Sequence, residues 1–350
     1  MTEAFAKDLS VIVVGRNEQF MRHTIDDVLE HAKADTEIVA ICDASWPEPA
    51  IVDHPKVKIL HTTTPVGQRA ATNLGAQLSR AKYIMKMDAH CSTDEGFDGK
   101  MIEKMQPDWT MIPSMHRLEV FNWGCDGCGE REYQGSKPEK CKECGGTEFY
   151  MHMVWEPRRQ FEPTIAWRFD SNLHFQYWRK YDRRPEVKEE AKTGVIETMS
   201  CIGCCFLMER ERFLELGGCS EGHGSWGQYG TELSAKAWLS GGKMVTCIDT
   251  WVAHMFRTNN FAGNGQSSWP YPITNRQIEA ARNYSRELWL NNRWEKQVRP
   301  LSWLLEHFWP VDGWTDDDLR NQKKREKDFV PAECTNTPLA QFTAAHTVHL

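Results

Sequence analysis

The segment MKMDAHCS, residues 85–92, places a carboxylate and an imidazole two residues apart, at Asp88 and His90. Apolar residues precede this pair, which predicts a short strand that ends at the acid. Side chains at positions i and i+2 of an extended chain point to the same side. The two residues could therefore hold a metal ion together, bond to each other, or cap the next helix.

Four cysteines form a second candidate site. Cys125 and Cys128 make one CxxC pair, and Cys141 and Cys144 make another after twelve intervening residues. Glycine follows each pair, so the chain can turn tightly and direct backbone amides at the sulfur atoms. This pattern predicts tetrahedral structural Zn²⁺ in a small module, with a redox-active CxxC as the alternative. Four thiolates leave no open position for catalysis, so this zinc is expected to stabilise the fold.

Composition limits the class of protein. The chain has 350 residues, 40% of them hydrophobic, and a formal net charge of −7, which argues against a strongly basic nucleic-acid coat. No apolar run approaches the roughly 18 residues that span a bilayer, and the N-terminus is a poor signal peptide. Adjacent Cys204 and Cys205 suit free thiols better than a disulfide framework. We therefore expect a cytoplasmic protein, of a bacterium or a phage-infected cell, without membrane contact.

The first 90 residues alternate between strand and helix patterns. Strands are predicted at 9–15, 36–45, 57–62 and 83–90, and helices at 21–32 and 66–81. Such alternation predicts βαβ units in a mostly parallel sheet, where ligands bind beyond the carboxyl ends of the strands. Residues 15–18, Asp43 and the Asp88/His90 pair all follow strands in this way. We expect them to share one binding site.

The second half is less regular. A strand is predicted at 109–115, a strand, turn and helix at 197–218, and a helix at about 231–240 followed by a strand that ends at 248. The segment TWVAHMFR, 250–257, ends that block, and a helix is predicted at 278–294. Arginines and aromatic residues alternate at 158–160, 178–180 and 183–184, as on surfaces that contact phosphates and bases. Residues 151–200 carry nine basic and eight acidic residues, so a salt-bridged solvated face explains this stretch equally well.

Residues 9–262 contain a series of motifs in this order: LSVIVVGRNE, ICDAS and MKMDAHCS, then RFDSNLHF, RFLELGG, WG, ELS and VAHMFR. This ordered set resembles the GT-A glycosyltransferases, including family 2-like enzymes, and above all the polypeptide N-acetylgalactosaminyltransferases. The resemblance implies an α/β, Rossmann-like fold with a central mixed sheet flanked by helices, to which this chain adds the zinc ribbon. The expected parts are a nucleotide-sugar-binding half (1–120), the zinc-ribbon insertion (121–150), an acceptor-binding half (151–265) and a C-terminal helical extension (266–350).

The resemblance answers the question raised by Asp88 and His90. It implies that these two residues and His254 bind a divalent cation such as Mn²⁺, which accepts imidazole more readily than Mg²⁺ does. Trp226 matches the tryptophan of a mobile loop that closes over the donor, although it could also be a core residue. Glu232 matches a family glutamate that could be structural, because acids are favourable where a helix begins.

The resemblance also implies a UDP-sugar as the donor substrate. The expected contacts are Val14, Arg16, Glu18, Asp43, Arg69, Asp88 and Arg257. Asp43 matches an acid that binds uridine, although it could instead cap a helix, and Arg257 matches an arginine that faces the diphosphate. Arg69 could replace one of two family arginines that are absent here at positions 70 and 72.

The chain departs from the family beside the expected sugar. Gln228-Tyr229-Gly230 stands where the family has Gly-Glu-Asn, so the glutamate that contacts the transferred sugar is missing. A UDP-sugar is therefore expected, but not N-acetylgalactosamine in particular. The same tripeptide offers no carboxylate base, which favours a retaining transfer, with Glu232 and Asp249 as the remaining candidates for an inverting base.

The acceptor stays open between several macromolecules. The first is a 5-hydroxymethylpyrimidine base in DNA, favoured by the inserted zinc module and the expected intracellular setting. The second is Ser or Thr of a protein, favoured by the motif match, and the third is a lipid-linked or polysaccharide acceptor. A protein of another class, a zinc-ribbon binding protein on an inactive transferase scaffold, is the remaining alternative.

Overall fold

Four apolar strands near the N-terminus form the parallel half of a central sheet. They are β1 (Lys7–Gly15), β2 (Thr36–Asp43), β3 (Val57–Thr62) and β4 (Ala81–Asp88) in this computed structural model, which describes residues 5–224, 226–256 and 274–332. β1 lies between β2 and β4 and is parallel to both, and β3 pairs with β2. The long apolar runs of β1, β2 and β4 are explained by burial on both faces of the sheet.

Three helices follow these strands: α1 (Met21–His31), α2 (Gln68–Leu78) and α3 (Phe97–Lys104). α2 packs closely on the sheet, since a Cβ atom at Gly75 would lie 2.5 Å from Ile12 Cγ2. Only glycine permits this approach of helix to strand. The helix is thereby held with its first turn beside the carboxyl ends of β2 and β4.

The second half of the chain completes the sheet with strands of both directions. These are β5 (Cys91–Thr93), β6 (Trp109–Cys125), β11 (Val195–Glu197), β12 (Cys205–Glu209) and β13 (Lys243–His254). The strand order is β11-β13-β6-β12-β4-β1-β2-β3, and β5 pairs with β13. β12 runs antiparallel to β4, whereas β13 runs parallel to β6. This mixed sheet, flanked by helices, confirms the expected α/β architecture.

The four-cysteine segment grows out of the central sheet. β6 continues beyond it and pairs on its two sides with β7 (Arg131–Tyr133) and β8 (Phe149–Pro157). The predicted boundary between residues 120 and 121 thus falls inside a continuous strand. The segment is therefore attached through β6 without a linker on its N-terminal side.

The remaining elements are short, apart from α6 and α7. They are β9 (Trp167–Phe169), β10 (Phe175–Tyr177), α4 (Pro185–Glu190), α5 (Arg210–Glu215), α6 (Tyr229–Leu239), α7 (Asn275–Trp289), α8 (Leu301–His307) and α9 (Asp316–Arg325). The predicted helix at 278–294 therefore begins and ends earlier. The strand predicted to end at 248 continues to His254 as the single strand β13, with an irregularity between Cys247 and Trp251.

The C-terminal helices pack against the central sheet. Trp289, Leu305, Phe308 and Trp314 belong to the same buried cluster as the central sheet. The Trp314 indole donates a hydrogen bond to the Phe169 carbonyl at 2.9 Å. Among the residues described above, no helix is long and apolar enough to cross a membrane.

Candidate active site

A cavity of about 610 Å³ lies along the edge where β2, β1 and β4 end. Asp43 and Val14 line it on the β2 and β1 side, and Asp88 lines it at the end of β4. β12 begins at this same edge because it is antiparallel to β4. The cavity accordingly extends past Asp88 to Gly203 and Gln228.

Three side chains from distant parts of the chain converge in this cavity. His254 Nε2 lies 3.2 Å from Asp88 Oδ2 and 3.1 Å from His90 Nε2. All three ligand atoms lie within 4.8 Å of one another. β13 brings His254 here because its last residues pair with β5, directly after the Asp88/His90 segment. The structure therefore assembles the three residues that the sequence named separately.

The chemistry of these donors fits a divalent cation. Glu18 Oε2 lies 3.3 Å from His90 Nδ1, so the carboxylate can hold that nitrogen protonated and turn the Nε2 lone pair to the centre. Burial lowers the pKa of His254, which favours the neutral imidazole that a metal requires. Glu18, expected to contact the donor, lines the cavity and supports His90 from behind. A bound cation would supply Lewis-acid stabilisation of a diphosphate leaving group.

Lys86 is a site residue that the sequence analysis missed. Its ammonium group is fully buried, forms an ion pair with Asp88 and donates to the Gly203 carbonyl at 3.1 Å. Burial alone would raise the pKa of Asp88, but Lys86 and the neighbouring imidazoles hold it below the usual range. The sequence did indicate this position, because Lys86 precedes Asp88 by two residues and its side chain therefore lies on the same side of the strand.

Asp43 organises the end of the cavity beside β2 through the backbone. One carboxylate oxygen accepts from the Val66 amide at 2.7 Å, and the other accepts from the Gly67 amide at 3.0 Å. These bonds fix the turn that leads into α2. They correspond to the helix-capping role that was the alternative for Asp43. Asp43 also lines the cavity, as do Val14 and Arg16. Arg257 lies outside the described residues.

Arg69 and Glu232 form a buried ion pair away from the cavity wall. Arg69 Nε donates to Glu232 Oε2 at 2.9 Å, and both side chains are almost completely buried. Glu232 also contacts Lys236 at 3.0 Å. Arg69 thus has a structural partner, and it also lines a smaller neighbouring cavity together with Arg16 and Gly67, so its expected contact with a diphosphate stays a prediction. Glu232 has the ion pairs expected of its structural alternative and does not line the cavity, and its catalytic role stays a prediction.

This ion pair holds the loop that carries Trp226. The two terminal nitrogens of Arg69 donate to the carbonyls of Gly224, at 3.0 Å, and Gly227, at 2.6 Å. Trp226 lies between these anchors, lines the cavity and is 38% exposed. It is therefore not a core aromatic, and its position at the cavity mouth suits a loop residue that covers a ligand.

The four cysteines also converge. Their sulfur atoms all lie within 4.8 Å of one another, with 3.5 Å between Cys125 and Cys144 and 3.6 Å between Cys128 and Cys141. Tetrahedral zinc with Zn–S bonds of about 2.3 Å requires sulfur atoms about 3.8 Å apart. Backbone amides lower the pKa of Cys141 to about 7, which favours its thiolate. The cluster therefore fits a closed four-thiolate zinc site.

Two arginines and a lysine of the aromatic, basic stretch contact other groups of the chain. Arg179 donates to the Pro163 carbonyl at 2.9 Å, and Arg184 donates to the Phe308 carbonyl at 3.0 Å. Lys180 pairs with Asp312 at 3.0 Å. These contacts weaken the case for a phosphate-binding surface that composition alone had suggested.

Comparison with known proteins agrees with this geometry. Residues 10–122 match the family model described as glycosyl transferase family 2. N-acetylgalactosaminyltransferase 7 from Homo sapiens is 26% identical over 298 residues, which cover 80% of this chain and 40% of that protein. Polypeptide N-acetylgalactosaminyltransferase 8 from Drosophila melanogaster is 26% identical over 301 residues, which cover 82% of this chain and 43% of that protein. The chain spans less than half the length of these relatives.

A solved structure supports the same fold. The crystal structure of GalNAc-T7 with UDP, GalNAc and Mn²⁺ aligns with a TM-score of 0.58 and 18% identity, over 92% of this chain and 54% of that one. The chain therefore has the GT-A fold, matches the glycosyl transferase family 2 model over residues 10–122 and resembles the polypeptide N-acetylgalactosaminyltransferases.

Proposed function

We propose that this GT-A glycosyltransferase moves a sugar from a UDP-sugar to a hydroxyl of a macromolecule, with Mn²⁺ or a similar divalent cation bound by Asp88, His90 and His254. The observation that carries the proposal is the convergence of these three ligands at the middle of a cavity large enough for a nucleotide sugar. The relative solved with UDP, GalNAc and Mn²⁺ supports the same donor class and metal.

The protein's own groups would orient the donor on both sides of the metal ligands. Val14, Arg16 and Asp43 line the end of the cavity where the nucleotide would bind. Glu18 would keep His90 in its ligating orientation, and Lys86 would fix the Asp88 carboxylate. Trp226 would cover the bound donor and exclude water, which limits hydrolysis.

The acidic residues support a retaining transfer. Glu232 is buried in its ion pair, and Asp249 pairs with Lys104 at 2.8 Å and does not line the cavity. The carboxylates that do line it, within the described part of the chain, are Glu18, Asp43 and Asp88, and each has a partner named above. No carboxylate there is available as a base for the acceptor, so the leaving phosphate would take the acceptor proton.

We propose Ser or Thr of a protein as the acceptor. Relatives named polypeptide N-acetylgalactosaminyltransferases support it, and the internal contacts of Arg179 and Arg184 remove one argument for nucleic acid. A 5-hydroxymethylpyrimidine in DNA is the second candidate. It is favoured by the position of the four-cysteine segment, since β6 residues Leu118 and Phe121 pack with Met255, which lines the cavity.

The proposal includes structural zinc and a reducing compartment. Cys125, Cys128, Cys141 and Cys144 would hold the zinc and order the segment between β6 and β8. The structure contains no disulfide among the described cysteines, including the buried adjacent pair Cys204 and Cys205. Free thiols in this number fit the cytoplasm better than an oxidising compartment.

The test is transfer to two acceptor classes in parallel. The protein, Mn²⁺ and a mixture of UDP-hexoses and UDP-N-acetylhexosamines would be incubated with a Ser/Thr peptide library or with DNA containing hydroxymethylcytosine and hydroxymethyluracil. Mass spectrometry should show a hexose or N-acetylhexosamine on one acceptor class, and NMR should show a retained anomeric configuration. Asp88→Asn should abolish transfer, whereas Asp53→Asn, an exposed control, should not.

The outcomes separate the alternatives. Product on peptides supports a protein acceptor, and product on the modified bases moves the assignment to DNA. Absence of any Mn²⁺-dependent UDP release, with every donor and acceptor, would contradict the transferase proposal. A binding protein on an inactive scaffold would then be the better description.

A further inference from the structure

The far end of the cavity is where the transferred sugar would lie, and this inference rests on the proposed function. The sheet order β2-β1-β4-β12 places Asp43 at one end of the edge, Asp88 in the middle and the start of β12 beyond it. If the nucleotide occupies the first end and the diphosphate the middle, the sugar reaches the last part. Gly203, Gln228 and Tyr229 line that part.

Tyr229 forms a wall here and does not offer its hydroxyl group. The hydroxyl lies 3.0 Å from Cys219 Sγ and donates to Thr72 Oγ1 at 3.3 Å, both buried. Its ring lies against the cations of Arg69, at 5.1 Å, and Lys86, at 4.9 Å. Tyr229 stands in place of the family's glutamate. Its hydroxyl group and its ring are therefore both engaged by protein groups and not available to a sugar.

Position 230 cannot provide a polar group either. A Cβ atom at Gly230 would lie 1.8 Å from the Cys201 carbonyl oxygen, so no side chain fits there without moving the backbone. The asparagine that the resemblance implies at this position could not be accommodated in this packing.

Gln228 supplies the polar side chain that these two positions lack. It precedes α6 with a left-handed φ of 58° and lines the cavity. Its Oε1 atom is buried and, within the described residues, has no hydrogen-bond partner. A buried amide oxygen without a partner carries a desolvation cost that a ligand hydroxyl could remove.

We propose that Gln228 is the residue that recognises the transferred sugar, by hydrogen bonding one of its hydroxyl or amide groups. A glutamine can both donate and accept, so it can match a hydroxyl in either orientation. This chain thus has an amide side chain at position 228, whereas the family has one at position 230.

The charge of the residues at the far end of the cavity indicates which class of sugar would bind there. The described residues that line this end, among them Cys201, Gly203, Gln228, Thr231 and Gln277, are uncharged. Gln277 is already engaged at the start of α7, where its side chain accepts from Thr274. A neutral hexose or N-acetylhexosamine therefore suits the site better than a uronic acid, which would need a cation.

The test compares UDP-sugars with UDP. Calorimetric affinities for UDP, UDP-glucose, UDP-galactose, UDP-GlcNAc, UDP-GalNAc and UDP-glucuronic acid would be measured with Mn²⁺ for the wild type and Gln228→Leu. The variant keeps the side-chain bulk but loses its polar atoms. We expect it to weaken binding of the preferred neutral UDP-sugar by about threefold to tenfold, the effect of one hydrogen bond, and to leave UDP unchanged. Gln106→Leu, at an exposed glutamine outside the cavity, is the matched control.

Each result decides the inference. Selective loss of UDP-sugar affinity supports it, and equal affinity of variant and wild type overturns it. Parallel loss of UDP affinity also overturns it, because Gln228 would then act on the nucleotide or the loop. A wild type that binds UDP but prefers UDP-glucuronic acid contradicts the neutral-sugar assignment alone. A wild type that binds no ligand removes the proposed function together with this inference.

Discussion

The side chains at the centre of the cavity fall into two groups, those that could bind a metal ion and those that hold these ligands in place. Asp88, His90 and His254 present ligand atoms to one point, and Glu18 and Lys86 hold two of them in place. Lys86 has a second effect, since its fixed positive charge lies next to the carboxylate that would bind a cation. This ammonium group would repel a divalent cation held by Asp88, and the negative charge of a bound diphosphate would offset that repulsion.

Lys86→Met should therefore strengthen the binding of Mn²⁺ in the absence of nucleotide. Methionine matches the length of the lysine and removes its charge, so we expect an apparent affinity about tenfold higher or more. Titration of the free Mn²⁺ signal by electron paramagnetic resonance measures this directly. Some loss of stability should accompany it, because the Gly203 carbonyl loses a donor.

Lys82→Met is the control for this experiment. Lys82 lies on the same strand but is half-exposed, and it pairs with Glu209 at 3.8 Å and not with a metal ligand. It should leave Mn²⁺ binding unchanged. Weaker Mn²⁺ binding in Lys86→Met than in the wild type would show that Lys86 serves mainly to position Asp88.

At the scale of elements, α2 and α6 are joined through the loop that they support. Arg69 on α2 bonds to Glu232 on α6 and to the carbonyls of Gly224 and Gly227 on either side of Trp226. The loop is therefore fixed at two points while Trp226 remains at the cavity mouth. An arginine fork suits this task because its donors are rigidly spaced.

Arg69→Met should destabilise the protein by about 3–5 kcal/mol, because it removes one of the two cations that pair with the buried Glu232 and leaves the Gly224 and Gly227 carbonyls without their donor. The double variant Arg69→Met/Glu232→Gln should be no more stable than the single variant, because the buried Lys236 then loses the carboxylate that it contacts at 3.0 Å. Chemical denaturation followed by fluorescence and circular dichroism measures the unfolding free energy, with exposed Arg80→Met as the control.

The alternative role of Arg69 gives a different pattern. If its guanidinium contacted the diphosphate, as the resemblance implies, Arg69→Met would weaken UDP binding without changing stability. That pattern would show that the buried ion pair is not the main role of Arg69.

At the scale of the molecule, the transferase core and the four-cysteine segment differ in how they are stabilised. The core is a single large cluster that includes the C-terminal residues Trp289, Phe308 and Trp314. Around the cysteines the buried cluster is only Cys125, Cys141 and Phe149, with Trp123 packed against it. So few apolar groups cannot order the segment without a metal.

Removal of zinc should therefore unfold this segment and leave the core folded. We expect one zinc per chain by elemental analysis, and its loss in Cys141→Ser. Hydrogen exchange should then accelerate in β7 and β8 but not in β1, β2 or β4. Cys42→Ala, at a buried cysteine of the core, should keep its zinc. A Cys141→Ser protein that keeps slow exchange in β7 and β8 would contradict a zinc-dependent fold.

The sequence alone determined the residues that act through local spacing. Asp88 and His90 share one side of the chain by the alternation of an extended segment, and the CxxC pairs direct two sulfurs each to a common point. Strand ends were likewise predictable, because apolar runs stop where the sheet meets solvent. The order of motifs then predicted His254 as the third ligand and the GT-A fold as its framework.

Only the tertiary structure decided which way the remaining side chains turn. Arg69 and Glu232 belong to helices whose relative placement depends on packing, so their spacing in sequence could not show that they bond to each other. Lys86 became a site residue once β12 placed Gly203 beside it. The C-terminal helices were shown to brace the core for the same reason: burial depends on contacts between residues far apart in sequence, which no local pattern encodes.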